Sequence, residues 1–228
     1  MIEFENTETF NWEGALRGMR NPLNSWDKAD SVFCSDGHND GTDCPDECPY
    51  TVPEIGMNDM ALMKKLVAAG SDHRKFMRQI FVSVDITAPL YWWKEYDTYK
   101  VGTVANSCST MHTIHKQNLT IDDFANDDMT PLAFEHLEAT ITILNALIES
   151  YRNSGIVDVW QSVIKLLPSS YLQKRTCTFS YENALAMYEA RRNHKLSEWH
   201  AFCDHVFALP YFAEMIGGTV RSGAKTEE

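Results

Sequence analysis

The segment Ile80-Phe81-Val82-Ser83-Val84-Asp85-Ile86-Thr87-Ala88-Pro89-Leu90-Tyr91-Trp92-Trp93 changes its period at one proline. Before Pro89, Ile80, Val82, Val84 and Ile86 alternate with Phe81, Ser83, Asp85 and Thr87. A period of two places the four aliphatic side chains on one face of a strand, and that face is the one to bury. Pro89 has no amide to extend a ladder but suits the opening of a helix. The aromatic-rich residues 90–99 are therefore read as a helix.

Helices flank this strand on both sides. Upstream, Asn58 or Asp59 can cap a helix in which Met60, Met63, Leu66 and Val67 recur at helical spacing, and Gly70 can stop it. Downstream, the strongest signal covers 131–152. Thr130 serves as N-cap and Pro131 fits the first turn; Phe134, Leu137, Ile141, Leu144, Ile148 and Tyr151 then form one apolar stripe. Asn183–Arg192 and Leu196–Ile216 read as further helices, and Thr176–Ser180 as β-like. The pattern is α+β.

Four stretches of differing character follow. Residues 1–30 mix aromatics with turn formers and read as an irregular N-terminal arm. Residues 31–56 form an acidic Cys- and His-containing loop insertion, with Asp36, Asp40, Asp43, Asp46 and Glu47 among Gly37, Gly41, Pro45 and Pro53. Residues 57–217 carry the main domain, and 218–228 a frayed, flexible tail.

The chain has 228 residues, enough for one large core. A hydrophobic content of 44% with 23% charged residues excludes a wholly disordered chain. Lys and Arg number 20 against 32 Asp and Glu, a formal net charge of -12, which argues against coating a nucleic-acid polymer. A small phosphate-bearing ligand stays compatible, since a few local basic groups hold it. No apolar run is long enough to span a membrane, so no membrane partner is expected. Met1–Phe10 lacks a basic segment of the signal-peptide kind, and six Cys without an export signal suit reduced thiols in a cytoplasm.

Several clusters carry potential chemistry. Cys34, His38, Cys44 and Cys48 form C-x3-H-x5-C-x3-C, a set able to close a tetrahedral structural zinc shell. The alternative is an acidic loop whose thiols coordinate nothing. His112-x2-His115 and His200-x2-Cys203-x-His205 hold ligand types on one helical face but lack an accompanying carboxylate. Cys108 lies near His112 without a third, orienting residue, which disfavours a Cys–His hydrolase. Neither G-x-G-x-x-G after a strand nor a Walker A sequence is present. Trp92-Trp93 can stack on a planar ligand or build a buried aromatic cluster.

The order of these pieces over 55–217 resembles the flavin-dependent thymidylate synthases of the ThyX family. That family runs helix, His-containing turn, alternating strand, Ala-Pro and aromatic helix into the signature R-H-R-x-x-S-x-N-E-x-S-x-R. Anchored on Ala88-Pro89, Thr98-Tyr99-Lys100 falls on the basic triplet and Thr103 on its first Ser. One inserted residue then brings Asn106, Ser107, Ser109 and Met111 onto the N, E, S and last R. Lys100, Thr103, Asn106 and Ser109 keep the chemistry in kind, whereas two Arg, the His and the Glu are replaced. His73 occupies the place of a flavin-contacting His. Leu166-Leu167-Pro168 resembles the family's L-P element, followed by Thr178-Phe179-Ser180-Tyr181-Glu182, Leu185 and Arg191. Ser180 and Glu182 stand where the family has Asn and Arg on the flavin side. A carboxylate at a phosphate-binding position repels the ligand unless basic groups such as Lys94, Lys100, Lys174 and Arg175 compensate.

The resemblance implies a ThyX-like fold, a small central antiparallel sheet with packed helices, assembled as a homotetramer. It implies a cytoplasmic flavoprotein methyltransferase of nucleotide biosynthesis, converting dUMP to dTMP with FAD, NADPH and methylene-tetrahydrofolate. By the same resemblance, His73, Lys100, Thr103 and Asn106 bind the cofactor, while Ser109 and Arg191 bind the pyrimidine nucleotide. No covalent protein nucleophile is implied. The alternative is a nucleotide- or partner-binding protein on the same scaffold, without catalysis and stapled by zinc.

Overall fold

The computed structural model describes residues 1–33 and 52–218. In chain order the elements are β1 (Glu3–Phe10), α1 (Trp12–Arg20), α2 (Met57–Ala68), β2 (Phe81–Pro89), α3 (Leu90–Tyr96), β3 (Thr103–Ser107) and α4 (Thr110–Thr113). There follow α5 (Pro131–Ser154), α6 (Val157–Leu166), β4 (Leu172–Ser180), α7 (Tyr181–Arg191), α8 (Ser197–Phe207) and α9 (Phe212–Met215). The strands form one four-stranded antiparallel sheet in the order β1-β2-β4-β3. β1 and β3 are thus its edges.

The alternation along β2 is realised residue by residue. Val82, Val84, Ile86 and Ala88 are fully buried, and Phe81, Ser83, Asp85 and Thr87 are half-buried. The Pro89 switch is also as expected, although α3 closes at Tyr96, three residues short of Tyr99. Trp92 and Trp93 are buried and pack on Tyr96, with ring centroids 5.2 and 5.3 Å away. They build core, not a ligand platform.

The chain packs as two compact units. The first comprises Met1–Glu5 and Asp85–Cys177. Its core sets Leu137, Ile141, Leu144 and Ile148 of α5 against Ile114, Leu119, Phe124 and Val163. Thr130 Oγ1 accepts the Ala133 amide at the start of α5, and Gly155, at φ 67, ends it in a conformation that L side chains adopt reluctantly.

The second unit comprises Asn6–Val84 and Thr178–Glu228. Trp12, Tyr181 and Phe212 pack edge to face, with centroids 5.3 and 5.8 Å apart in successive pairs. Arg20 and Asp59, only 3% and 2% exposed, form a buried ion pair at 2.7 Å. Burial alone raises the Asp59 pKa. Hydrogen bonds from the Ser31 hydroxyl, the Asp30 amide and Arg20, with the Arg20 charge, outweigh burial and hold it below the ordinary carboxylate value.

Three expectations are corrected here. The arm over 1–30 is regular, not irregular: β1 and α1 occupy most of it, and Trp12, Ala15, Leu16 and Met19 are buried. Gly14 and Gly18 masked this helix, yet Gly18 serves close approach, since a Cβ there would lie 2.8 Å from Gln79 Oε1. The continuous helix expected over Leu196–Ile216 is two, because Pro210 cannot donate an amide and Tyr211 turns left-handed at φ 57. The β-like stretch at Thr176–Ser180 begins earlier, at Leu172.

Candidate functional site

In the first unit, β3 ends where the chain turns into the short α4, alongside β4. The Cys108 amide donates to Lys174 O at 2.9 Å, tying this turn to β4. Ser109 caps α4, its hydroxyl oxygen accepting the His112 amide at 3.3 Å. A cavity of about 340 Å³ opens beside the turn. Leu90, Ile164 and Leu167 give it an apolar lining, and Ser107, Ser109, Thr110 and Gln173 supply its polar groups. A concave apolar pocket with a few convergent polar groups is the usual form of a small-molecule site.

Gln173 is held from both ends. Arg175 Nε donates to its Oε1 at 3.0 Å, and its Nε2 donates to Cys108 O at 3.0 Å and Thr110 Oγ1 at 3.3 Å. Arg175 is fixed in turn by Asp97 Oδ1 at 2.8 Å and by the Trp93 ring, whose centroid lies 4.2 Å from the guanidinium carbon. Lys174 is paired with Glu5 at 2.7 Å, with Asp85 at 3.7 Å. Lys174 and Arg175, two of the cations offered above as compensating Glu182, are therefore committed to carboxylates of this unit.

Four of the residues singled out in the sequence also lie in this unit. Ser109 lines the cavity. Lys100 is exposed on the turn before β3, without an ion-pair partner among the described residues. The Thr103 hydroxyl donates to Tyr99 O, so it offers a ligand an acceptor in this arrangement. Asn106 is exposed on β3.

His73 and Arg191 lie in the second unit. His73 is exposed in the turn after α2, its amide donating to Gly70 O at 3.0 Å. Its neighbour Arg74 makes a two-point ion pair with Glu182 at the start of α7, at 2.8 and 3.1 Å, with both side chains about 15% exposed (15% and 16%). The bare carboxylate expected at Glu182 is therefore a neutralised one. The compensating cation is Arg74, not one of the lysines or arginine considered from the sequence. Arg191 is half-buried, with its guanidinium 4.8 Å from the Trp199 ring centroid.

Among the described residues, no group of three or more His, Cys, Asp and Glu is placed to hold a metal ion, which removes the His112/His115 and His200/Cys203/His205 sets. The zinc set Cys34, His38, Cys44 and Cys48 lies outside the described residues. Burial pushes the thiol of Cys177 up to about 11 and that of Cys203 to about 12, so both stay protonated at neutral pH. Among the described residues no helix is long and apolar enough to cross a membrane.

The fold defines a class: the chain has a ThyX-like fold. Two solved structures carry that statement. Thymidylate synthase X (ThyX) from Helicobacter pylori with FAD and dUMP superposes with a TM-score of 0.67 at 14% identity, over 95% of this chain and 97% of that one. A second structure of the flavin-dependent thymidylate synthase ThyX from Helicobacter pylori, complexed with FAD and dUMP, gives 0.64 at 13% identity, over 93% and 97%. No protein-family model matches the sequence, and no curated protein matches it.

Proposed function

We propose that the chain is a flavin-dependent methylase of a pyrimidine deoxynucleotide, converting dUMP to dTMP with methylene-tetrahydrofolate as carbon donor. What carries this reading is the match over nearly the whole length of both chains to structures whose bound molecules are FAD and dUMP. Ser109 and Arg191 hold the nucleotide, and His73, Lys100, Thr103 and Asn106 hold the flavin. FAD, when bound and reduced by NADPH, supplies the reducing equivalents. The chain's own residues bind and orient the reactants, so no protein nucleophile is needed.

The donor set suits a flavin nucleotide on three observations. Lys100 carries a charge that nothing among the described residues neutralises. The Asn106 amide is exposed. Glu182, at a position of Arg in the family, has its charge offset by Arg74 and does not repel phosphate as a lone carboxylate would. The catalytic test is tritium release from dUMP labelled at C5, with FAD, NADPH and methylene-tetrahydrofolate supplied. Release that depends on all three is expected; its absence with fully loaded protein would remove the methylase.

A second reading is a nucleotide- or partner-binding protein on this scaffold, without catalysis. The observation favouring it is that the Arg74–Glu182 pair is neutral where the family has a cation. It expects dUMP to raise the melting temperature with no tritium release. The homotetramer and the zinc staple belong to the proposal as well. Light scattering giving four chains per particle, and elemental analysis giving one zinc per chain, are the outcomes they require.

A further inference from the structure

We propose that Arg175 and Gln173 are positioning residues that hold the Thr110 hydroxyl in place as a hydrogen-bond donor toward an acceptor atom of the bound nucleotide. This rests on the nucleotide-binding reading above and adds the polarity of the cavity to it.

A guanidinium only donates, so the Gln173 atom facing Arg175 Nε at 3.0 Å is the amide oxygen. A backbone carbonyl only accepts, so the Gln173 atom facing Cys108 O at 3.0 Å is the amide nitrogen. Both neighbours thus select the same amide orientation, and neither tolerates the flipped one. The same nitrogen reaches Thr110 Oγ1 at 3.3 Å. A hydroxyl that accepts at its oxygen has its one hydrogen left to give, and Thr110 gives it to no group among the described residues. Ser109 is in the same state, its oxygen accepting the His112 amide. Both hydroxyls line the cavity.

An unconstrained hydroxyl is indifferent, since it donates or accepts according to its partner. Here Gln173 occupies one lone pair and fixes the oxygen, and the hydrogen remains available to the cavity. Asp97 and the Trp93 face fix Arg175, Arg175 fixes Gln173, and Gln173 fixes Thr110. Among the described residues the lining has no cationic side chain, so the lining itself offers neutral donors set in apolar walls. Such a site takes a ligand through acceptor oxygens, those of a phosphate ester or a pyrimidine carbonyl.

Calorimetric titration of the full chain with dUMP and with deoxyuridine, on four variants, tests this. Thr110→Val removes the hydroxyl at nearly constant shape and is expected to weaken dUMP binding about tenfold, while Thr110→Ser restores it. Gln173→Glu keeps the acceptor for Arg175 but replaces the donor facing Thr110 by a second acceptor, which draws the Thr110 hydrogen back onto itself. Since the same nitrogen also donates to Cys108 O, its loss should be at least that of Thr110→Val, and the double variant should lose no more than Gln173→Glu alone. A loss seen for dUMP but not deoxyuridine assigns the acceptor to the phosphate; a loss shared by both assigns it to the base. Wild-type binding left unchanged by Thr110→Val and Gln173→Glu, or losses that multiply in the double variant, would overturn the relay alone. Wild-type protein that binds neither ligand overturns the nucleotide reading and the relay with it.

Discussion

Arg20 in one unit and Arg175 in the other each organise a polar network, and the two differ in where they end. Arg20 gives its Nε to Asp59 at 2.7 Å and its terminal nitrogens to Ser25 O and Lys28 O at 3.1 and 2.9 Å. The second Asp59 oxygen takes the amides of Asp30 and Ser31 and the Ser31 hydroxyl at 3.1, 3.0 and 2.6 Å. This network is closed on itself and fastens the segment after α1 to the start of α2. The Arg175 network is 15% exposed at the arginine and 51% at Asp97, and it ends at a hydroxyl lining a cavity. A closed buried network holds a fold together. One that ends at a cavity-lining hydroxyl is, on the proposal above, placed to serve a ligand.

That contrast sets an order of effects. Arg20→Ala leaves the Asp59 charge buried and unpaired, and should destabilise the protein by about 3–5 kcal/mol in urea unfolding. Glu182→Gln leaves Arg74 with half its partner in a partly buried site, and should cost about 1–2 kcal/mol in the same measurement. Arg175→Ala, losing an exposed pair and a cation–π contact, should cost about 1 kcal/mol while weakening dUMP binding. If Arg20→Ala and Arg175→Ala destabilise equally, the distinction between the networks fails.

The pH dependence is the smallest effect and belongs to the second unit, which holds both His205 and Asp59. Burial holds the His205 pKa below its ordinary 6.5, so the folded state favours the neutral ring. The unfolded chain then takes up the proton first, and stability present above 6.5 declines as the pH falls through the folded value. The melting temperature should drop as the pH falls below the ordinary 6.5, and His205→Gln should flatten that slope. Asp59, with its pKa held down, acts on a lower window: its contribution is complete above the ordinary 3.8 and is lost as acid titrates it. An acid limb unchanged in Asp59→Asn would contradict the closed-network description.

What the sequence made legible was whatever carries a period and buries one face. β2 alternates, and α5 repeats Leu137, Ile141, Leu144 and Ile148, so both are readable from residue spacing alone. The edge strands were not. β1 reads Glu-Phe-Glu-Asn-Thr-Glu-Thr-Phe and is mostly exposed, and β3 is exposed along nearly its whole length, so neither has a buried face to impose alternation. The site suffered more, because its connections are long in sequence. Arg74 meets Glu182 across 108 residues, and Gln173 meets Thr110 only once β3 lies beside β4. Ser109 was found because it belongs to a motif. Gln173 and Arg175 belong to none, and only strand pairing gives them a role.

The central claim is that this ThyX-like fold houses a flavin and a pyrimidine nucleotide together, and the absorbance spectrum of the purified chain titrated with FAD tests it most directly. The account predicts saturable uptake of FAD, and a shift of the bound flavin bands when dUMP is added. Protein that remains colourless after incubation with saturating FAD and removal of the free cofactor would contradict it.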